Sequence, residues 1–216
     1  MRLIFRTALV LATLCYVLAP TAAAAGGRVA LSFDDGPDAR LTPRLLDILR
    51  NAGVTATFCL VGRRVAQYPD IVRRIHAEGH ELCNHSWSHP VLTGGNAGSE
   101  ISKTDAAIRA ATGTVPAILR APYGAIGAVG SCHNGRPFVG WGGTGDTMDW
   151  RYRSAGHVTN AAVKVRQDEI VLMHDIHATS VAAVPGIIAG LRARGMSFVH
   201  ASELWKHRCA PRIAGK

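Results

Sequence analysis

The chain predicts an α/β fold built on parallel strands, arranged as an open sheet or a closed barrel. Three observations carry this. Short apolar runs alternate with stretches of helical period after residue 27, glycines punctuate most junctions, and about six or seven strand-like runs follow one another, near the number that closes a barrel. Strands that alternate with helices pair in parallel through right-handed crossovers. In either arrangement the residues just past the strand carboxyl ends share one face, and sites form there.

The first strand is expected at 28–33, ending on Asp34, Asp35, Gly36 and Pro37. Thr42 then suits an N-cap and Pro43 the first helical position, with Leu45, Leu46, Ile48 and Leu49 as the apolar face and Gly53 as the stop. The second strand is expected at 55–61. A helix at 69–77 buries Ile71, Val72 and Ile75, stops at Gly79, and leads to a strand at 81–83. The alternation goes on through a helix at 99–111, strands at 117–120 and 138–141, a strand at 169–173, a helix at 181–194 and a last strand at 197–200.

Residues 1–25 stand apart. Arg2 and Arg6 precede an uncharged, mostly apolar run at 7–19, then Pro20 and the small residues Ala22, Ala23, Ala24 and Ala25. That is the layout of a secretory signal peptide cleaved near Ala25. The run is shorter than the roughly 20 apolar residues of a membrane span, and Cys15 follows Leu14 and not a small residue, which argues against lipid attachment. The expectation is a leader at 1–25 and one domain at 26–216, secreted or periplasmic, without a stable membrane anchor and monomeric.

The chain carries 24 Lys and Arg against 15 Asp and Glu, a net charge of +9, and losing Arg2 and Arg6 with the leader takes this to +7. A basic exported protein is biased toward anionic partners such as cell-wall polymers, unless its charge is simply spread over a solvated surface. Nothing has the Lys/Arg block or aromatic-interleaved basic stripe that would suggest nucleic acid. Four cysteines follow the leader, Cys59, Cys83, Cys132 and Cys209. An oxidising compartment permits any of three pairings, and buried free thiols at Cys59 and Cys83 are the alternative. Without a Cys-x-x-Cys spacing a cysteine zinc cluster is not expected.

The chemistry gathers at the strand ends. Asp34 and Asp35 raise one another's pKa unless a cation sits between them; alone, such a pair reads as a turn cap beside a solvated carboxylate. In "NHSWSHP", residues 84–90, His85 and His89 stand four apart, a spacing that in a helical turn stacks two imidazoles on one face. With a strand-end carboxylate they make a two-His, one-carboxylate metal site with open positions for water, the arrangement of catalytic zinc. "RAPYG" at 120–124, "GDTMDW" at 145–150 and "LMHD" at 172–175 each stand at or just past an expected strand end.

These motifs, in this order and with the run "GHELCNHSWSHP" at 79–90, resemble the polysaccharide deacetylases, carbohydrate esterase family 4, over residues 29–205. The resemblance implies a distorted (β/α) barrel of about seven parallel strands with the active site at their carboxyl ends. It implies Asp35, His85 and His89 as ligands of one divalent ion, most often Zn2+, with Co2+ or another divalent ion accepted in some members. Asp34 matches the general base, Arg120 the residue that holds it, and the backbone N–H of Tyr123 a donor to the oxyanion. His174 matches the general acid and Asp149 its orienting carboxylate. Trp150 and Leu172 match the pocket for the acetyl methyl group, and Pro122 falls among the substrate-binding positions; Asp146 and Asp175 suit turn or supporting roles.

The implied activity is hydrolysis of N-acetyl groups from β-1,4-linked amino-sugar polymers such as chitin oligomers or peptidoglycan, an acetylated polysaccharide being the partner. An O-acetyl esterase acting on acetylated xylan, or a non-catalytic carbohydrate-binding protein on the same fold, are the alternatives. One stretch departs from the pattern. "GAIGAVGSCHNGRPFVGWGGTG", residues 124–145, is short and glycine-rich, with Gly143 where the family usually has an aromatic and Trp141 two positions earlier. One wall of the substrate groove is therefore expected to be unusual, and His133 in this stretch is expected to be a solvated loop residue.

Overall fold

A computed structural model of the chain describes residues 26–207 and residue 209. The expected leader and Cys15 lie outside the described residues. Six strands form one sheet: β1 (Arg28–Asp34), β2 (Thr57–Leu60), β3 (Glu81–Asn84), β4 (Ile118–Leu119), β7 (Glu169–His174) and β8 (Ser197–Phe198). The order is β4-β3-β2-β1-β7, every pairing parallel, with β8 beside the start of β1. A small antiparallel hairpin, β5 (Cys132–His133) and β6 (Arg136–Pro137), stands off the sheet.

Among the described residues seven α-helices accompany the strands: α1 (Leu41–Ala52), α2 (Gly62–Gln67), α3 (Pro69–Ala77), α4 (Ala97–Thr112), α5 (Ala155–Ala162), α6 (Ala178–Ala193) and α7 (Ala201–Leu204). Neither α2 nor α5 was expected from the periodicity, since both are short and glycine- or polar-rich. Among the described residues no helix is long and apolar enough to cross a membrane.

Alternation along the strands divides two cores. Val29, Leu31 and Phe33 of β1, with Val171 and Met173 of β7, pack outward against Leu45, Leu46, Leu49, Ile75, Ile187 and Leu191 of the helices. Cutting one of these buried leucines to alanine would cost about 2–5 kcal/mol. The opposite parity, Ala30, Cys59, Cys83, Ile118 and Ile170, forms a smaller inner cluster with Ala201 and Leu204 of α7. That parity continues to Ser32 and Asp34 on β1 and to Leu172 and His174 on β7, so the polar residues nearest the strand ends share the inner face.

Three local expectations change. Thr42 is not an N-cap: Asp38 Oδ1 accepts the N–H groups of Arg40 and Leu41, while the Thr42 hydroxyl accepts the Asp38 N–H and donates to Asp175. A tertiary contact has taken the hydroxyl that the sequence offered to the helix end. The strand expected at 138–141 survives only as a bridge between Phe138 and Leu119. Gly140, Gly142 and Gly143 offer no side chains to pack, and the Val139 and Gly140 carbonyls accept from Arg120. The segment instead runs from one edge of the sheet to the other: Val139 N–H donates to Leu119, Gly142 N–H to Ile170, and Leu172 N–H to Gly145. Six strands and this seam stand where about seven strands were expected. Finally, Cys59 pairs with its register neighbour Cys83, and Cys132 with Cys209, which settles the open pairing and sets aside the free-thiol alternative.

Candidate active site

β1 ends by delivering Asp34, buried at 3 % exposure, onto the inner face. Its Oδ1 accepts from Arg120 Nη1 at 2.6 Å, and the same nitrogen donates to the Ser32 hydroxyl two residues earlier on that face. Arg120 is itself 1 % exposed and spends its remaining donors on the Val139 and Gly140 carbonyls. A buried ion pair tolerates its desolvation only when the remaining donors are satisfied, and here they are.

Asp35 lies just past the strand with φ of 73°, which turns its side chain toward the loop after β3. That loop carries His85 and His89, and it is not the helical turn that their spacing suggested: Ser86 and His89 adopt φ of 66° and 61°. The loop is held from outside the site. Glu100 of α4 accepts the N–H groups of Trp87 and Ser88 and the Ser88 hydroxyl, the Asn84 carboxamide oxygen accepts the Ser86 N–H, and the Ser86 hydroxyl accepts the His89 N–H. His85 Nδ1–H donates to the Arg120 carbonyl at 2.8 Å, which fixes the tautomer and aims Nε2 inward.

Asp35 Oδ1 then lies 3.2 Å from His89 Nε2 and 3.5 Å from His85 Nε2, and the three ligand atoms sit within 4.8 Å of one another. This oxygen is buried without a hydrogen-bond partner. An orphaned carboxylate oxygen facing two imidazole nitrogens is the donor set of a divalent-cation site. The electrostatics agree. Burial pushes the Asp35 carboxyl up, yet His85, His89 and His174 together hold it far below the carboxylate range. Burial pulls His85 down, yet the charges of Asp34 and Asp35 raise it above its ordinary value, so the site draws positive charge.

Across the cavity, His174 ends β7. Its Nδ1 is 2.7 Å from Asp149 Oδ1, and its backbone N–H donates to Asp149 Oδ2, which also accepts the Ser180 hydroxyl. Asp149 is fully buried. Burial opposes charge on His174, but the hydrogen bond and charge of Asp149, with smaller help from Asp34 and Asp35, push its pKa up to about 9. The imidazole is therefore a protonated acid at neutral pH, with Nε2 open to the cavity.

A cavity of about 520 Å³ joins the two halves, lined by Asp34, Asp35, His85, His89 and His174, and by Trp150, Leu172, Tyr123, Ala121, Gly124, Trp141 and Asp146. Trp150 is half exposed at its rim and Leu172 buried in its wall. Tyr123, with φ of 60° and 69 % exposure, sets its ring edge-on to His89. Pro122 does not line the cavity: it is buried as the first residue of the tight turn 122–124, and Ala121 provides the wall in its place. Trp141 fills the wall expected to be unusual. A Cβ on Gly124 would stand 2.8 Å from the Trp141 ring, so the glycine makes room for it. His133 sits on the off-sheet hairpin and is not among the lining residues. Asp175, fully buried beneath Gly36, has its pKa raised to about 7, first by burial.

Five non-glycine residues around the site, Asp35, Ser86, His89, Tyr123 and Met148, have left-handed φ. Each such residue costs about 1–3 kcal/mol and persists only where its surroundings over-determine it. Sequence reading missed three supporting residues: Ser32, Glu100 and Ser180. Ser32 could have been found from the period-two parity that places it two before Asp34. Glu100 and Ser180 carry no local signal, because each serves a residue distant in the chain.

A parallel α/β fold with two histidines and an aspartate that could hold a cation, and a paired His–Asp, at the strand carboxyl ends defines an α/β class with a candidate metal site on that face. The sequence model of the polysaccharide deacetylase family matches residues 22–129, and the chain belongs to that family. It is 41 % identical over 182 residues to the peptidoglycan-N-acetylglucosamine deacetylase PgdA of Listeria monocytogenes, covering 82 % of this chain and 39 % of that one. The chain thus spans about two-fifths of that relative's length. The peptidoglycan deacetylase PdaC of Bacillus subtilis superposes with a TM-score of 0.77 at 33 % identity, covering 83 % of this chain and 90 % of that one. A family 4 acetyl xylan esterase of Clostridium thermocellum, solved with a cobalt ion, superposes with a TM-score of 0.72 at 35 % identity, covering 82 % and 89 %.

Proposed function

We propose that the chain is a hydrolase that removes N-acetyl groups from the amino sugars of peptidoglycan, acting with one divalent ion, Zn2+, after export behind the leader at 1–25. The observation that carries this is the pairing of two oppositely supported groups at neighbouring strand ends: Asp34 against Arg120, and His174 against Asp149. A carboxylate anchored by a guanidinium beside an imidazole anchored by a carboxylate is the pairing of proton acceptor and proton donor that amide hydrolysis needs. The family membership and the peptidoglycan deacetylases among the relatives support the substrate class.

Asp35, His85 and His89 would hold the ion, which when bound supplies Lewis-acid chemistry and lowers the pKa of water. Asp34 Oδ1 is engaged by Arg120, so Oδ2 is the oxygen that takes the proton from the attacking water. The new bond joins that water's oxygen to the acetyl carbon. The Tyr123 N–H donates to the oxygen that gains negative charge. His174 then gives its Nε2 proton to the departing nitrogen as the C–N bond breaks, leaving acetate and a free amine. Trp150 and Leu172 hold the methyl group and keep bulk water from it.

An amine leaves poorly unprotonated, so a His174 held protonated to about pH 9 favours the amide over an ester substrate. The test is acetate release by the leaderless protein from peptidoglycan, N-acetylglucosamine oligomers and acetylxylan, each with and without a chelator. Chelator-sensitive release from peptidoglycan is expected. Release from acetylxylan alone would replace the reading with an O-acetyl esterase, and no release from any would return it to a carbohydrate-binding protein.

A further inference from the structure

Just beyond the acid's partner Asp149, a turn closed by Arg151 and Tyr152 N–H donation to the Met148 carbonyl pushes four consecutive side chains outward. Trp150, which lines the cavity, is 50 % exposed and Tyr152 is 41 % exposed, with Arg151 and Arg153 both exposed between and after them. The Arg151 guanidinium lies 5.5 Å from the Tyr152 ring centre and the His157 ring centre 4.3 Å from it, so Tyr152 is held in place by its neighbours while the Trp150 ring stays half exposed.

The charge on this rim is unanswered. Among the described residues neither Arg151 nor Arg153 has a carboxylate within ion-pair distance. The stretch 150–167 holds Arg151, Arg153, Lys164 and Arg166 and contains no Asp or Glu. Asp149 is buried and committed to His174 and Ser180. The field reaches the catalytic side: burial first, then the charge of Arg153, lowers the pKa of His177, whose ring stands 5.6 Å from that of His174.

Unpaired guanidinium groups interleaved with exposed rings suit an anionic sugar, because rings stack on the sugar face and guanidinium forks bind carboxylates with two donors. We infer that Trp150, Arg151, Tyr152 and Arg153 form a subsite for a carboxylate-bearing sugar next to the acetamido sugar in the cavity. The occupant is a peptidoglycan strand from which stem peptides have been removed, because only then do the lactyl groups on alternate sugars carry free carboxylates in place of amides. This rests on the deacetylase reading for its substrate, and it adds the reason a neutral strand would bind less well. Continuity carries the assignment, since Trp150 belongs to both the cavity wall and the rim.

The experiment is calorimetric binding of full-length leaderless protein to peptidoglycan glycan fragments already stripped of glucosamine N-acetyl groups, so that no turnover intervenes. Each fragment is offered with its carboxylates free or amidated. The wild type is expected to bind the free form about tenfold more tightly, the scale of one charge-assisted hydrogen bond, with the preference shrinking as salt rises. The Arg151→Gln, Arg153→Gln protein is expected to bind both forms alike, while Lys at both positions retains a preference. Equal binding of the two forms by the wild type, no measurable binding of either, or a preference kept by the double Gln variant overturns the subsite. A wild type that prefers the carboxylate form of these fragments yet releases no acetate from N-acetylated peptidoglycan overturns the deacetylase reading and leaves the subsite standing.

Discussion

Asp34 and His174 are register partners on neighbouring parallel strands, each the last residue of its strand. Paired residues of adjacent strands point to the same face, so both enter one cavity, about one inter-strand spacing of ~4.8 Å apart at the backbone. Their partners come from elsewhere and carry opposite charge, Arg120 behind one and Asp149 behind the other. The sheet sets the distance between this carboxylate and this imidazole, the groups proposed as proton acceptor and proton donor.

Asp34→Asn keeps an acceptor for Arg120 but cannot take a proton. Acetate release is expected to fall about 10²–10⁴-fold, with zinc stoichiometry measured by metal analysis unchanged. If zinc leaves together with activity, Asp34 belongs to the ligand set and not to proton transfer.

Chelation is expected to remove acetate release, and added zinc to restore it. Glu100 touches none of the ligand atoms, yet it holds the loop that carries both histidines. Glu100→Ala is expected to weaken zinc binding about 10–100-fold in a competition assay. Affinity equal to wild type would mean that the loop keeps its shape without this brace.

The pKa of His174 is raised from 6.5 to about 9 in the folded protein. The His174–Asp149 pair therefore contributes stability fully below about pH 6.5, and that contribution is lost as pH rises through about 9. The alkaline limb of kcat is expected near pH 9. Asp149→Asn should shift this limb toward 6.5 and lower kcat at pH 8; a profile that falls in height without moving would remove His174 as the acid.

Gly124 has φ of 66°, and an added Cβ would meet the Trp141 ring. Gly124→Ala is expected to cost about 1–2 kcal/mol from the left-handed backbone alone and to displace Trp141. Urea unfolding should show the loss, and KM should rise more than kcat falls. A stable variant with unchanged KM would mean that Trp141 does not contact substrate.

The strand ends were legible because apolar runs stop abruptly at Asp34, Asn84, Arg120 and His174, and parity then assigns the inner face. The roles at those ends were legible only through the family motifs, since a lone Asp-Asp or His-x-x-x-His has common alternatives. The spacing of His85 and His89 suggested a helix, but the chain meets it with two left-handed residues in a loop, a geometry that periodicity does not encode. Thr42 looked like a cap until Asp175, 133 positions away, claimed its hydroxyl. The start of the seam, 138–141, was misread as a strand because Phe138 and Val139 are apolar, while the partner that shapes it is a guanidinium from another element.

That guanidinium has a further consequence. Arg120 grips Val139 and Gly140 while it pairs with Asp34, so the first turn of the seam is clamped to the carboxylate proposed to accept the proton. Beyond Gly140 the clamp ends, and the segment is next tied to β7 by the Gly142 N–H on the Ile170 carbonyl and the Thr144 hydroxyl on Glu169, which leaves Trp141 between the two anchors. Insertions or exchanges there would remodel the groove wall around Trp141 with the reacting groups undisturbed. Descendants of this scaffold could change which glycan they accept while keeping the proposed hydrolysis.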